Sequence, residues 1–243
     1  KTTDFGKTWT NIITDNIVGT TRNIQEDYEN EDLLFLGTEF GLYITVDGGK
    51  SWSKFTKNMP SVAVHFIDLH KRTNDLVMGT HGRGVIIIDD ISPLREITTD
   101  VLAEKIHFFN NKPSVLSDES GFAGSFGAET QFVGQNASTS PQIKYLLPKR
   151  HTFGKMSMEI KDMDGNVVST LTPGKSKGIN IVNWSGTIKQ PRVAKGKTLA
   201  FGGFATPRVP AGTYTAVITK GKDVFEKTFE IVYDDRSGLS DAD

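Results

Sequence analysis

The string TVDGGKSW, at residues 45–52, places an aspartate, two glycines and a tryptophan within one short polar stretch. Nearly the same string, TTDFGKTW, stands at residues 2–9, so that each position recurs 43 residues later, from Thr2 to Thr45 onward. A duplicated, glycine-paired turn at a fixed spacing indicates an internal repeat, and the spacing gives the length of its unit.

A third copy of the repeat lacks the turn. LLFLGTEFGLYITVD (33–47) aligns with LVMGTHGRGVIIIDD (76–90) with one inserted residue, but ISPLREI then replaces GGKSW, and Pro93 ends the strand pattern. Short β-branched and aliphatic runs bounded by glycine, asparagine and aspartate predict five strands here, at 32–38, 41–46, 63–70, 75–80 and 84–90. A period of about 40–45 residues built from such strands is the length of one four-stranded propeller blade.

The duplicated turn is predicted to fasten strands together. Its glycines supply positive φ without steric cost. Its aspartates accept hydrogen bonds from turn amides, and its tryptophans bury a large apolar surface against the neighbouring sheet. The alternative is a catalytic or metal-binding role for the aspartates. The residues assigned to the structural role are Asp4, Gly6, Trp9, Asp47, Gly49 and Trp52.

Both strings resemble Asp-box (BNR) repeats, whose form is Ser/Thr-x-Asp-x-Gly-x-Ser/Thr-Trp. The resemblance implies an Asp-box β-propeller, the fold of sialidases, sortilin-like receptors and some xyloglucan-cleaving enzymes. The tract at 58–94 is also similar to the last blade of sortilin-like, BNR-containing exoproteins of Bacteroidota. Residues 1–95 are therefore expected to form an incomplete propeller, namely its last two blades and part of another.

Composition excludes several functional classes. The 243 residues carry a net charge of -1 and show no clustered basic stripe, which argues against nucleic-acid binding. No apolar run reaches the roughly 18 residues of a membrane helix, and the absence of cysteine removes disulfides and thiolate chemistry. Because Lys1 lies inside a repeat, we expect a piece of a longer polypeptide, with the remaining blades supplied by a preceding segment or another chain.

Residues 142–235 are predicted to form a second β domain. Six strand-like runs separated by turns such as Asp164-Gly165 and Lys220-Gly221 indicate a small β-sandwich. The sequence resembles a FlgD-type immunoglobulin-like domain in the Asp164-Gly165 turn, in Trp184-Ser185-Gly186 and in the PAGTY motif at 210–214, with an insertion near 187–208.

The segments outside the two domains have little periodicity. Residues 96–141, rich in glycine, serine and alanine, are predicted to be an irregular connector, and residues 236–243 a flexible tail. The connector contains Phe122, Phe126 and Phe132, which suggest that it is anchored on an apolar surface.

Four residues are candidates for contact with a ligand. His81 and Arg83 lie in GTHGRG (79–84), and Glu39 and Phe40 lie in the equivalent GTEFG (37–41). The resemblance to propellers implies that these loops open on the face opposite the Asp boxes, around the central channel. The alternative is that glycines shape the second loop while Arg83 forms a structural ion pair, for instance with Asp89.

No metal, cofactor or catalytic site is predicted. DMDGN (162–166) imitates the start of a calcium loop but lacks the closing acidic ligand, so a hairpin turn is predicted instead. No histidine pair stands at the spacing of a zinc site. A glycosidase needs two paired carboxylates, and nothing in the sequence pairs Glu39, Asp68 or Asp90.

The sequence favours a non-catalytic binding or assembly module of a larger bacterial protein that is secreted or lies on the outer surface or in the periplasm. In this interpretation a glycan or protein binds the propeller face. One alternative is a glycoside hydrolase-like enzyme whose active site lies mainly in blades outside this chain, with Glu39, His81 and Arg83 as peripheral contacts. The other is a sortilin-like receptor that binds a peptide.

Overall fold

A computed structural model describes residues 1–116, 140–188 and 207–234. Within these ranges the chain is predominantly β, which confirms the all-β prediction. The chain divides into two units, Lys1–Ala103 and Glu104–Asp243, here called unit 1 and unit 2. Among the described residues no helix is long and apolar enough to cross a membrane.

Unit 1 contains two antiparallel sheets that follow each other along the chain. Sheet 1 has the order β1 (Thr21–Glu26), β2 (Leu34–Thr38), β3 (Gly41–Thr45) and β4 (Ser53–Lys54). Sheet 2 has the order β5 (Val64–His70), β6 (Asp75–Thr80) and β7 (Val85–Ile88). Two single-turn helices follow, α1 (Ser92–Arg95) and α2 (Thr99–Ala103). Residues 1–20 contain no strand.

The two sheets of unit 1 share one pairing register. In sheet 1 a bulge separates the pairs Thr21↔Thr38 and Asn23↔Gly37. In sheet 2 a bulge separates Val64↔Thr80 and Phe66↔Gly79, which are the equivalent positions of the repeat. Because a slipped register would move every side chain to the opposite face, the shared register shows that the sequence repeat is also a structural repeat.

The sheets of unit 1 differ in how they are covered. One face of sheet 1 packs against sheet 2 in a single buried cluster. Sheet 1 contributes Phe35 and Leu42, together with Leu33 just before β2. Sheet 2 contributes Ile67, Leu69, Leu76 and Met78. The opposite face of sheet 1 forms a second cluster with residues of the 10–17 segment. Sheet 1 is thus buried on both faces.

Unit 2 is also built from two sheets. Sheet 3 has the order β13 (Gly178–Asn183), β10 (Gln142–Leu147) and β8 (His107–Phe108). Sheet 4 has the order β12 (Val167–Leu171), β11 (Met156–Lys161), β14 (Gly212–Lys220), β15 (Asp223–Tyr233) and β9 (Ser114–Leu116). Only the β9–β15 pair is parallel among the described strands.

The core of unit 2 lies between its sheets. Tyr145 and Ile143 of sheet 3 and Met158, Ile160 and Ile218 of sheet 4 belong to one buried cluster. An aromatic group completes that cluster: the ring of Trp184 stands edge-on to the rings of Tyr214 and Phe229, at centroid distances of 5.5 Å and 6.1 Å.

The segment predicted as an irregular connector is partly ordered into secondary structure. Its described part contains α2, β8 and β9, and the last two are edge strands of sheets 3 and 4. These strands have only two and three residues, too few to show the alternating pattern from which a strand is predicted. Phe122, Phe126 and Phe132, most of the predicted insertion and the predicted tail lie outside the described residues.

Candidate functional site

The two Asp boxes form the same hydrogen-bond network. In the second box, the Asp47 carboxylate accepts hydrogen bonds from Thr45 Oγ1 at 2.6 Å, from the Ser51 backbone N–H at 2.9 Å and from the Ser51 hydroxyl. The Gly49 N–H donates to Thr45 Oγ1 at 3.0 Å. In the first box Asp4 accepts the equivalent bonds. Both carboxylates are thus committed to holding their own turn.

These bonds keep the box carboxylates ionised. Burial by itself would raise the pKa of Asp47, but the hydrogen bonds from Ser51 and Thr45 outweigh it and bring that pKa below its usual 3.8. The backbone and side-chain bonds from Thr8, with that from Thr2, lower the pKa of Asp4 from 3.8 to about 2. Carboxylates of this kind are poorly suited to general acid catalysis near neutral pH.

The tryptophans of the two boxes lie in different surroundings. Trp52 is 4% exposed, belongs to the cluster on sheet 1, and donates from Nε1 to the Ile12 carbonyl at 2.7 Å. Trp9 is 74% exposed and donates from Nε1 only to Gly6 of its own turn. The second box therefore fastens the 10–17 segment onto sheet 1, whereas no described residue covers the first tryptophan.

The four predicted ligand residues lie on two hairpin turns, which we call the turn face (residues 39–40 and 81–84). β3 starts next to Phe40 and ends two residues before Asp47, so Glu39 and Phe40 lie at the end of sheet 1 opposite the box. Both turns are held by the same short segment: Ser61 Oγ donates to the Phe40 carbonyl at 3.4 Å, and the His81 N–H donates to the Ala63 carbonyl at 2.9 Å.

The side chains of the turn face are open to solvent. Phe40 is 41% exposed, and Glu39, His81 and Arg83 are also exposed. The ring of His81 lies 5.8 Å from that of His65, centroid to centroid, a neighbour that the sequence did not indicate. Among the described residues Arg83 forms no ion pair, so the alternative pairing with Asp89 is absent from this structure.

A buried charged cluster elsewhere in unit 1 was missed from the sequence. Arg95 binds Asp27 through two nitrogens, at 2.8 Å and 2.9 Å, and its guanidinium lies 4.7 Å from the Tyr28 ring centroid. Arg95 also donates to Asn74 at 3.2 Å. Burial would lower the pKa of Arg95, but the bonds to Asp27 and Tyr28 and the charges of Asp27 and Glu29 raise it. The cluster joins α1 to the two loops that carry Asp27 and Asn74, and has a structural role.

The described residues form no metal site. No group of three histidine, aspartate or glutamate side chains there could hold a metal ion. In unit 2 the Asp162 carboxylate accepts the N–H groups of Asp164 and Asn166, at 3.0 Å and 2.8 Å, and so closes the hairpin turn. An open cavity of about 330 Å³ between the Asp boxes is lined mainly by lysines, threonines and the aspartates Asp32 and Asp47, and the Asp47 carboxylate is already bonded within its own turn.

Comparison with known proteins gives little guidance. No family model matches this sequence, and no curated protein matches it. One solved structure is similar, that of PorZ, an essential bacterial surface component of the type-IX secretion system of Porphyromonas gingivalis. The two chains are 16% identical, with a TM-score of 0.28 over 88% of this chain and 23% of the PorZ chain. At that TM-score the likeness carries no argument about function.

Proposed function

We propose that the chain is a non-catalytic binding module of a larger, secreted or surface-exposed bacterial protein, and that a glycan or protein ligand binds its turn face. The observation that carries this proposal is the pair of hairpin turns that present Phe40, His81 and Arg83 to solvent from one end of two rigid sheets. Binding residues are disproportionately found on loops held by such a scaffold.

The architecture that we propose for unit 1 is the C-terminal part of an Asp-box propeller. Three observations support it: the shared register of sheets 1 and 2, their face-to-face packing, and the position of the second box at the end of sheet 1 opposite the turn face. In a propeller the turn face would surround the central channel, as the resemblance to Asp-box proteins implies.

For unit 2 we propose a FlgD-type immunoglobulin-like sandwich. The Tyr214 hydroxyl donates to the carbonyl of Pro210 at 2.8 Å, four residues upstream in the PAGTY motif. A tyrosine bonded back to the nearby backbone, together with a buried tryptophan between two sheets, is typical of immunoglobulin-like folds. In the proposed protein this unit acts as a spacer or a dock at the cell surface.

The chemistry of the turn face suits recognition better than hydrolysis. An exposed phenyl ring offers a flat apolar surface, and an unpaired guanidinium donates up to five hydrogen bonds in a fixed plane. Hydrolysis of a glycoside would need two carboxyl groups about 5–10 Å apart, and of the four turn-face residues predicted to contact a ligand only Glu39 is acidic.

Binding of the full chain to glycan and protein arrays tests the proposal. Combined replacement His81→Ala with Arg83→Ala, or Phe40→Ala alone, is expected to weaken retention about tenfold or more, as loss of a central contact does. Arg150→Ala and Phe153→Ala are matched controls, since both residues are exposed in unit 2, Phe153 at 89%.

Two results would contradict the proposal. Retention that is unchanged in the turn-face variants would show that binding lies elsewhere. Release of a product from a polysaccharide or an aryl-glycoside, lost in the His81→Ala with Arg83→Ala variant, would instead establish an enzyme.

A further inference from the structure

Sheet 2 has one face that no described residue covers. Phe66, Val85 and Ile87 point from this face with 69%, 66% and 56% of their surfaces exposed. The register joins them into one patch, because Gly79 pairs with both Phe66 and Val85, while Val77 pairs with Ile87. We call Phe66, Val77, Gly79, Val85 and Ile87 the open face; the exposed Asp68, which pairs with Val77, lies at the side of these apolar residues. A contiguous apolar patch on a regular sheet marks an interaction surface.

The repeat within the same unit shows what covers such a face. The pairs Phe35↔Ile44 and Gly37↔Leu42 of sheet 1 are the repeat equivalents of Val77↔Ile87 and Gly79↔Val85 of sheet 2. In sheet 1, Phe35 and Leu42 are fully buried, and Ile44 packs against the same cluster, which sheet 2 completes. The open face is therefore the counterpart of the face by which one sheet of the repeat packs onto the next.

A glycine supplies a second and independent observation. A Cβ built on Gly37 would lie 2.6 Å from the Val64 carbonyl oxygen, so the edge strand of sheet 2 leaves no room for a side chain there. At the equivalent Gly79 the only close atom is Cβ of Phe66, at 3.3 Å, within sheet 2 itself. Glycine inside a strand weakens the strand and often marks the close approach of another backbone. At Gly79 that other backbone is not among the described residues.

We propose that the open face docks a further sheet of the same repeat, carried by another segment of a longer polypeptide that contains this chain. The docking sheet presents a leucine- and methionine-rich face like that of Leu76 and Met78, and its edge strand passes over Gly79 as β5 passes over Gly37. The inference rests on the structural repeat of unit 1 and is independent of ligand binding at the turn face.

The accessibility of one introduced thiol tests this proposal. The sequence contains no cysteine, so Val85→Cys places a single thiol in the tryptic peptide 84–95, which follows Arg83 and ends at Arg95. Maleimide labelling of this peptide is compared between residues 1–243 alone and the polypeptide made in its natural host. We expect labelling at least about tenfold slower in the natural polypeptide, because a docked sheet excludes reagent until it opens. Met163→Cys, at a position 80% exposed in unit 2, is the control.

The identity of the covering segment is tested by cross-linking. Benzophenone-maleimide attached to the introduced thiol of the Val85→Cys variant is photoactivated in the natural polypeptide, and the joined peptide is sequenced by mass spectrometry. An intramolecular link to a strand next to another Ser/Thr-x-Asp-x-Gly-x-Ser/Thr-Trp motif supports the proposal. A link to a second copy of residues 1–243, a link to an unrelated protein, or equal labelling rates in the two forms would overturn it.

The two equivalent glycines provide a paired control. Gly79→Ala is expected to lower the unfolding temperature of residues 1–243 less than Gly37→Ala does, because its Cβ would meet only Phe66 Cβ at 3.3 Å, and to abolish most of the protection of the position-85 thiol. Gly37→Ala is expected to lower that unfolding temperature, because its interface lies within unit 1. The His81→Ala with Arg83→Ala variant should keep full protection at position 85, so failure of the ligand proposal can be told apart from failure of this one.

Discussion

The two box tryptophans allow one residue type to be tested in two surroundings. Replacing Trp52 by alanine removes a side chain that is 4% exposed and deprives the Ile12 carbonyl of its indole donor. Loss of a buried aromatic side chain of this size costs about 3–5 kcal/mol. Replacing Trp9, which is 74% exposed and bonds only to its own turn, should cost less than about 1 kcal/mol.

Hydrogen exchange followed by mass spectrometry measures this difference within unit 1. Peptides covering β2 and β3 report the opening of sheet 1. When exchange follows the opening equilibrium, each decrease of about 1.4 kcal/mol in the free energy of opening makes exchange about tenfold faster. Trp52→Ala should therefore accelerate exchange of these peptides by about a hundredfold or more, while peptides of unit 2 provide the internal control.

Equal effects of the two replacements would refute the reasoning. If Trp9→Ala accelerated exchange as much as Trp52→Ala, the exposed tryptophan would be contributing to stability through contacts that this structure does not contain. If neither replacement had an effect, the second box would not fasten the 10–17 segment to sheet 1.

Three further predictions concern the charges and glycines of the chain. Arg95→Met is expected to destabilise unit 1 by about 3–5 kcal/mol, because Asp27 would stay buried without its partner; a loss below about 1 kcal/mol in urea unfolding would contradict that role. Because the folded pKa of Asp47 lies below 3.8, its stabilising contribution is present above that pH and is lost as the pH falls through the folded value. In the Asp47→Asn variant the urea midpoint of unit 1 should therefore decrease less between neutral pH and about pH 3 than it does in the unmodified chain. An equal decrease in both would show that the Asp47 carboxylate does not cause this pH dependence. Gly49→Ala should destabilise more than Gly165→Ala, since both glycines have positive φ but only at 49 would the new Cβ lie 2.8 Å from a neighbouring side chain; equal losses would show that backbone strain alone matters.

Most strands could be predicted from the sequence because their patterns are local. The expected strand at 75–80 coincides with β6, and those at 41–46 and 63–70 agree with β3 and β5 to within a residue. The repeat also predicted which positions of sheets 1 and 2 correspond. Strand propensity, glycine turns and a fixed period are all visible within about 45 residues of chain.

Contacts between distant residues could not be predicted in this way. Asp27 and Arg95 are separated by 68 residues, and neither position differs in the sequence from an ordinary surface charge. The pairing of His65 with His81 depends on the β5–β6 register and on the turn that follows. The open face could not be read from the sequence either, because the pattern of sheet 2 is that of a sheet covered on both sides.

The most direct test of the central claim is the set of nuclear Overhauser contacts made by the two indole rings. If the second Asp box fastens successive elements of a structural repeat, Trp52 should show strong contacts to Ile12 and to Leu34 or Leu36 of sheet 1. Trp9 should show contacts only within its own turn, to Gly6. Absence of contacts between Trp52 and both Ile12 and β2 would contradict the account.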